Sequence, residues 1–172
     1  KAASMERRQL AKTGMLRSAH MLGNEEEIIF TATDLLADTK LAPELSNEAH
    51  YYRAKAYLDA GKTDGAMEDL KILAKDTRNV YGAEAKYKVA QIYFDGGQTD
   101  KVEQEVLNYI EVSTPHTYWL ARSFVLLADV YMKSGRNLDA KQYLLSLKQN
   151  YQADDDIAGM IESRLEKLKT EN

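Results

Sequence analysis

An alanine, a tyrosine three residues on and a glycine four beyond that recur three times: Ala54, Tyr57, Gly61; Ala90, Tyr93, Gly97; Ala128, Tyr131, Gly135. The glycines stand 36 and then 38 residues apart, and five positions after each comes a small or short side chain, Ala66, Val102 or Ala140. A recurrence at this period marks a stack of like supersecondary units, none of which can bury its apolar face alone. Such a stack presents long surfaces to partners, whereas catalysis needs groups converging in a pocket.

Each phrase lies where one helix ends and another begins. From Leu45 to Gly61, Tyr51, Ala54, Tyr57 and Leu58 recur at the helical period of three to four. Gly61 can take the left-handed conformation that ends a helix without steric penalty. Lys62-Thr63 follows, with Thr63 expected as the N-cap of a second helix whose stripe is Ala66, Met67, Leu70, Leu73 and Ala74. Gln98-Thr99 and Arg136-Asn137 repeat that cap chemistry. The unit is a helical hairpin.

A weaker copy precedes these three. Gly23 stands 38 residues before Gly61 and leads into Asn24-Glu25-Glu26-Glu27, the pattern of a capping box, with Ile28, Ala32, Leu35 and Leu36 continuing the stripe. Leu16 and Ala19 replace the alanine and tyrosine of the later copies. Downstream, Asp154-Asp155-Asp156 is expected to open a last helix, since carboxylates suit a helix N-terminus. Ile157, Met160, Ile161, Leu165 and Leu168 would face inward, with Glu162, Arg164, Glu166 and Lys167 outward, as befits a helix that seals a stack.

Composition agrees with long helices and a packed core: 44% of the 172 residues are hydrophobic, and Pro43 and Pro115 are the only prolines. A net charge of −4 argues against nucleic acid, which calls for clustered cations. No apolar run approaches the ~20 residues that span a bilayer. With no cysteine, disulfide and thiolate chemistry are excluded. The chain opens KAASMERRQL, without an initiator Met or an apolar signal segment, and reads as the C-terminal part of a longer array.

The phrase resembles the tetratricopeptide repeat, TPR, whose pattern is a bulky residue, Leu-Gly, Tyr, Ala, an aromatic and Pro. On that pattern the Gly position holds Ala54, Ala90 and Ala128, and the Leu before it Arg53, Val89 and Leu127. The early bulky position holds His50, Lys86 and Phe124, and the late aromatic one Leu70, Val106 and Leu144. The pattern's Trp and terminal Pro are missing in register, and the spacing exceeds the ~34 residues of the family. The texture of AEAKYKVAQIYFDGGQTDKV and ARSFVLLADVYMKSGRNLDAKQYL is similar to that of bacterial cell-envelope members: outer-membrane assembly lipoproteins, Tol-associated periplasmic proteins and Bacteroidetes-type arrays.

The resemblance implies where a partner would bind. In the family, positions two, five, nine and twelve of each first helix line a concave groove. The fifth positions here are Tyr51, Tyr87 and Val125, the ninth Lys55, Gln91 and Asp129, the twelfth Leu58, Phe94 and Met132. The expected groove is therefore Tyr51, Lys55, Leu58, Tyr87, Gln91, Phe94, Asp129 and Met132, although the fifth and twelfth positions could equally pack neighbouring helices. The paired Lys and Asn with which chaperone-binding members clamp a C-terminal carboxylate do not match.

Other chemistry finds no support. His20, His50 and His116 lack the spacing of a helical metal site and read as structural or solvated. The Asp154–Asp156 run lacks the alternating ligands, glycine and closing Glu of a calcium loop. Gly96-Gly97 is not followed by Lys-Ser/Thr and cradles no phosphate. Charges on the second helices, Lys101, Glu103 and Glu105 among them, read as a solvated face.

The sequence thus predicts an all-α, right-handed superhelical solenoid of TPR-like hairpins with about nine helices. It divides into a degenerate repeat at 3–40, repeats at 45–77, 81–113 and 117–151, and a closing helix at 154–169 within one array, 1–172. Functionally it predicts a non-enzymatic scaffold that binds a protein or peptide in its groove, with no cofactor, metal, nucleic acid or membrane insertion. A periplasmic or cell-envelope address is expected. The N-terminal edge, with Met5, Leu10, Met15 and Met21, is expected to be uncovered and open to self-association. The alternative is a helical appendage of a catalytic or sugar-handling domain.

Overall fold

A computed structural model describes residues 2–170, and among these the regular structure is nine α-helices. They are α1 (Ala2–Leu22), α2 (Glu25–Leu36), α3 (Pro43–Asp59), α4 (Thr63–Leu73), α5 (Val80–Asp95), α6 (Thr99–Glu111), α7 (Thr117–Lys133), α8 (Asn137–Asn150) and α9 (Ile157–Thr170). The fold is an all-α solenoid type built from helical hairpins. The chain forms two compact units, Lys1–Lys75 with α1 to α4 and Asp76–Asn172 with α5 to α9. In the first, α1 packs on α2 and α3, and α3 packs on α2 and α4. In the second, α5 packs on α6 and α7, α7 on α6, α8 and α9, and α8 on α9.

The recurring phrase is the geometry of a helix stop. Gly23, Gly61, Gly97 and Gly135 have φ of 66°, 70°, 70° and 71°, a left-handed conformation that glycine adopts without a Cβ penalty. Around each, two backbone bonds close a Schellman motif. At Gly61, the Lys62 N–H donates to the Tyr57 carbonyl at 2.7 Å and the Gly61 N–H to Leu58 at 3.0 Å. Tyr93 and Tyr131 carbonyls accept in the same way from Gln98 and Arg136, both at 2.8 Å. The spacing Tyr-x-x-x-Gly is thus the spacing of that bond.

The turn is one residue tighter than the capping expectation. Lys62, Gln98 and Arg136, each directly after its glycine, take the N-cap position and form no side-chain capping bond. Thr63, Thr99 and Asn137 are already inside their helices. The residue that closes the Schellman motif also starts the next helix, which leaves no room for a separate cap. Only the first hairpin follows the expectation: Asn24 Oδ1 accepts from the Glu27 N–H at 3.2 Å. The reciprocal half is absent, since Glu27 instead accepts from the Thr31 hydroxyl at 3.3 Å. The Asp154–Asp156 run likewise precedes α9 rather than forming its first turn. Asp155 Oδ1 accepts from the Ile157 N–H at 3.0 Å, and the Asp156 carbonyl from Met160 at 3.1 Å.

Side chains at fixed distances from the glycines build the cores. Seven residues before them lie Leu16, Ala54, Ala90 and Ala128, all essentially without exposure. Five, nine and twelve residues after them, the second helices bury Ile28, Ala66, Val102 and Ala140; Ala32, Leu70, Val106 and Leu144; and Leu35, Leu73, Tyr109 and Leu147. Tyr109 keeps its hydroxyl satisfied by donating to the Ala83 carbonyl at 3.2 Å, and burial pushes that hydroxyl up to about 12. On α9, Ile157, Ile161, Leu165 and Leu168 of the expected stripe are buried, while Met160 is half-buried.

One position pair joins the two helices of each later hairpin by a different chemistry. His50 Nδ1 lies 2.7 Å from Asp69 Oδ1, Lys86 Nζ donates to Glu105 Oε2 at 2.9 Å, and the Phe124 and Tyr143 rings stand 5.8 Å apart. Each pair is 19 residues apart in sequence. Asp69 is also held by Arg53, whose Nε and Nη2 donate to its two oxygens at 2.8 and 2.7 Å, while Nη1 reaches Thr33 Oγ1 at 3.0 Å. Burial alone would raise the Asp69 carboxyl, but the bonds from Arg53 and His50 outweigh it and hold the group below its ordinary value. In the second unit the loops before α5 and α7 are tied together. Thr77 Oγ1 donates to the Ser113 carbonyl at 3.2 Å, and Thr114 Oγ1 to the Thr77 carbonyl at 2.7 Å.

Candidate partner-binding surface

The expected groove residues fall on α3, α5 and α7 and divide between the two units, so each group stands by itself. On α3, Lys55 is exposed with its ammonium 5.4 Å from the centroid of the Tyr51 ring, and Tyr51 and Leu58 are half-buried. Tyr51 also tilts against Tyr52 at 5.8 Å, and Tyr52 stacks on His20 at 4.2 Å. Lys12 and Arg17 of α1 are already engaged. Lys12 meets Asp34 at 2.6 Å, and Arg17 donates from Nε and Nη2 to the carboxylate of Glu48 at 2.6 and 2.8 Å. Glu48 occupies the second position of its helix, so a predicted groove position is spent on a bond within the unit.

In the second unit α5 carries Tyr87, Gln91 and Phe94 and α7 carries Asp129 and Met132, but not in the expected roles. Tyr87 is buried: its ring lies 5.6 Å from Trp119 and 5.1 Å from the Arg122 guanidinium, and its hydroxyl donates to Gln91 Oε1 at 2.7 Å. It is a core residue and not an open anchor. Val125 is buried in the same core cluster, which is the packing alternative for a fifth position. Asp129 does not stand free either. Arg164 of α9, expected to face solvent, donates to both its oxygens at 2.7 Å. The pairing α7 on α9 brings these two together, and bidentate geometry favours the bond over hydration of either partner.

What remains open is narrower. Phe94 and Met132 are half-buried against the core, and the Lys133 ammonium lies 3.9 Å from the Phe94 ring centroid. Gln91 bridges to Asp95 at 3.0 Å. At the other end of the same helix pair, Arg122 lies between two tyrosines, donating to the Tyr118 hydroxyl at 2.9 Å and the Tyr87 hydroxyl at 3.3 Å, with Asp156 at 3.4 Å. Burial opposes its charge, yet the tyrosine hydroxyls hold the guanidinium above its ordinary value. Its Nε is buried without a partner. Arg122 is the second position of its helix, so the family pattern carried the signal for it. Nothing in the pattern singles out Lys133 or Tyr118.

The charged face of the second helices is also less idle than expected. Glu103 accepts from the buried Tyr131 hydroxyl at 2.8 Å and from Arg136 at 3.3 Å, while Glu105 is engaged by Lys86. Burial and then Glu103 push the Tyr131 hydroxyl well up. The histidines are placed as well. His50 sits on Asp69, His20 on Tyr52, and His116 Nε2 lies 3.1 Å from the Arg78 carbonyl. Among the described residues no group of three or more His, Asp or Glu is arranged to hold a metal, and no helix is long and apolar enough to cross a membrane.

No protein-family model and no curated protein matches the sequence. Two solved structures are similar to it in fold. One is a crystal structure of the nearly identical TPR-like repeats of a kinesin light chain candidate from Podosopora anserina, with a TM-score of 0.54, 18% identity, and 95% of this chain and 94% of that one covered. A single-substitution variant of those same repeats gives a TM-score of 0.56 at 16% identity, covering 95% and 93%. At these identities the likeness speaks for the TPR-like fold and for nothing finer, and it lends no support to the bacterial cell-envelope texture.

Proposed function

We propose that the chain is a non-enzymatic protein-interaction scaffold whose second unit binds a segment of a partner along α5 and α7. The observation that carries this is what stays open: Phe94 and Met132 are half-buried against the same core cluster, the Lys133 ammonium lies over the Phe94 ring, and Arg122 lies between Tyr87 and Tyr118. Rigid apolar area flanked by cations fits a helix or extended segment with apolar side chains and nearby carboxylates. The α3 trio of Tyr51, Lys55 and Leu58 offers a second, smaller contact of the same kind. A cell-envelope address belongs to this proposal only through the sequence texture.

The test is capture of partners from the source organism's lysate by the purified chain, identification by mass spectrometry, and calorimetry on the recovered segment. Phe94→Ala is expected to weaken binding by about 2 kcal/mol or more, the range of an interface anchor. Lys141→Glu, on the exposed side of α8, should stay within about 0.5 kcal/mol. Glu103→Lys is unsuitable as a neutral control because it strips the Tyr131 hydroxyl of its acceptor. If Lys141→Glu removes binding and Phe94→Ala does not, the second helices are the working face and the proposal fails.

A further inference from the structure

The outward side of α1 is built like a helix-docking furrow. Among its described side chains, α1 buries Thr13, Leu16 and Ala19. On the opposite side, Leu10 and Met21 fall within about 20° of each other around the axis, and Met15 and Leu22 do the same about 120° away, at 100° per residue. These four are exposed to 66%, 86%, 53% and 82%. Between the two rows lie Ala11, Gly14 and Ser18, all exposed, and a Cβ built at Gly14 would meet nothing within 4 Å. Two pairs of apolar side chains with small residues between them outline a shallow channel about 18 Å long at 1.5 Å per residue. A row of side chains from another helix fills such a channel, whereas a flat lipid surface would leave its floor empty.

Charge decides what kind of helix. The first 22 residues hold Lys1, Arg7, Arg8, Lys12 and Arg17 against the single carboxylate Glu6, net +4 in a chain of net −4, so residues 23–172 carry −8. Lys12 and Arg17 are neutralised by Asp34 and Glu48. Arg7 and Arg8 are exposed and form no ion pair among the described residues; Arg7 lies on the midline of the furrow and Arg8 beside its Met15 wall. We infer that this furrow docks an amphipathic helix of a partner protein, with an apolar ridge repeating every three to four residues and carboxylates flanking it. A second copy presenting the same face would bring like charge against like.

The experiment uses the full chain and a fluorescein-labelled synthetic peptide of about 21 residues, with leucine at every third and fourth position and glutamate on both flanks. A second peptide carries lysine in place of glutamate. Anisotropy titration is expected to show the glutamate peptide binding at least tenfold more tightly than the lysine peptide, with the advantage shrinking in high salt. Gly14→Leu fills the furrow at an open, helix-favouring site and should abolish binding while circular dichroism stays unchanged. Paired Arg7→Glu and Arg8→Glu should invert the preference between peptides. Equal binding of both peptides, or retained binding by Gly14→Leu, overturns the inference. So does concentration-dependent dimerisation lost in Gly14→Leu, which would give the face to a second copy. Sedimentation with phosphatidylserine vesicles lost in the same variant would give it to lipid, and also overturns it.

Discussion

Asp69 is the carboxylate the first unit buries most deeply, and three bonds from Arg53 and His50 hold it. Asp69→Asn removes the charge but leaves the guanidinium nearly enclosed, and breaking such a pair costs about 3–5 kcal/mol. Chemical denaturation is expected to show that loss at neutral pH. Because the carboxyl is held below its unfolded value of about 3.9, its contribution is complete above that pH and fades as pH falls through the lowered folded value. The gap between wild type and Asp69→Asn should therefore close in acid below about pH 4. Two glycines should respond with opposite signs. Gly97→Ala forces a Cβ into a left-handed turn at φ 70° and should cost about 1–2 kcal/mol. Gly159→Ala, in α9 with nothing within 4 Å of the new Cβ, should stabilise by roughly 0.5–1 kcal/mol. Thermal melts of both variants check the pair.

The three later hairpins interlock through alanines seven residues before their glycines, and Ala128 has no exposed surface. Ala128→Leu is expected to overpack α7 at a cost of roughly 1–3 kcal/mol. Ala60→Leu, at the exposed C-cap that follows α3, should cost far less, and urea midpoints compare them. The pair that joins each hairpin's helices invites a transplant: Lys86→Phe with Glu105→Tyr copies the Phe124 and Tyr143 rings onto α5 and α6. The double variant should be more stable than the sum of its single effects predicts, with a coupling of about 0.5–3 kcal/mol in a double-mutant cycle. Additive effects would mean that the two sites are independent. This level was largely open to reading from the sequence, because glycine stops and buried stripes depend on local geometry and leave a period. Tyr87 takes the packing alternative and Asp129 is spent on a bond to Arg164 for a physical reason. Their neighbours Trp119 and Arg164 belong to other helices, and a repeat pattern places backbones without saying which side chains cross between them. Arg122 was readable from its position, Lys133 was not.

Each unit encloses its own apolar cluster, around Leu16, Ala32 and Leu35 in the first and around Val106, Leu127 and Leu144 in the second. The fragment 76–172 carries the larger of the two. Expressed alone, it is expected to show a helical spectrum and a single cooperative urea transition. A featureless, sloping melt would show that its cluster is insufficient. The varied chemistry joining equivalent helices has a consequence for how the chain finds its native state. Arrays of near-identical units tend to misassemble, since any first helix can accept any second helix. Here a wrong match is marked at once: α7 paired with α6 as a hairpin would press Phe124 against the carboxylate of Glu105, and α3 paired with α8 would leave His50 facing a ring in place of Asp69. A shared backbone plan thus carries a separate address on each of the three later hairpins, which disfavours mistaken neighbours.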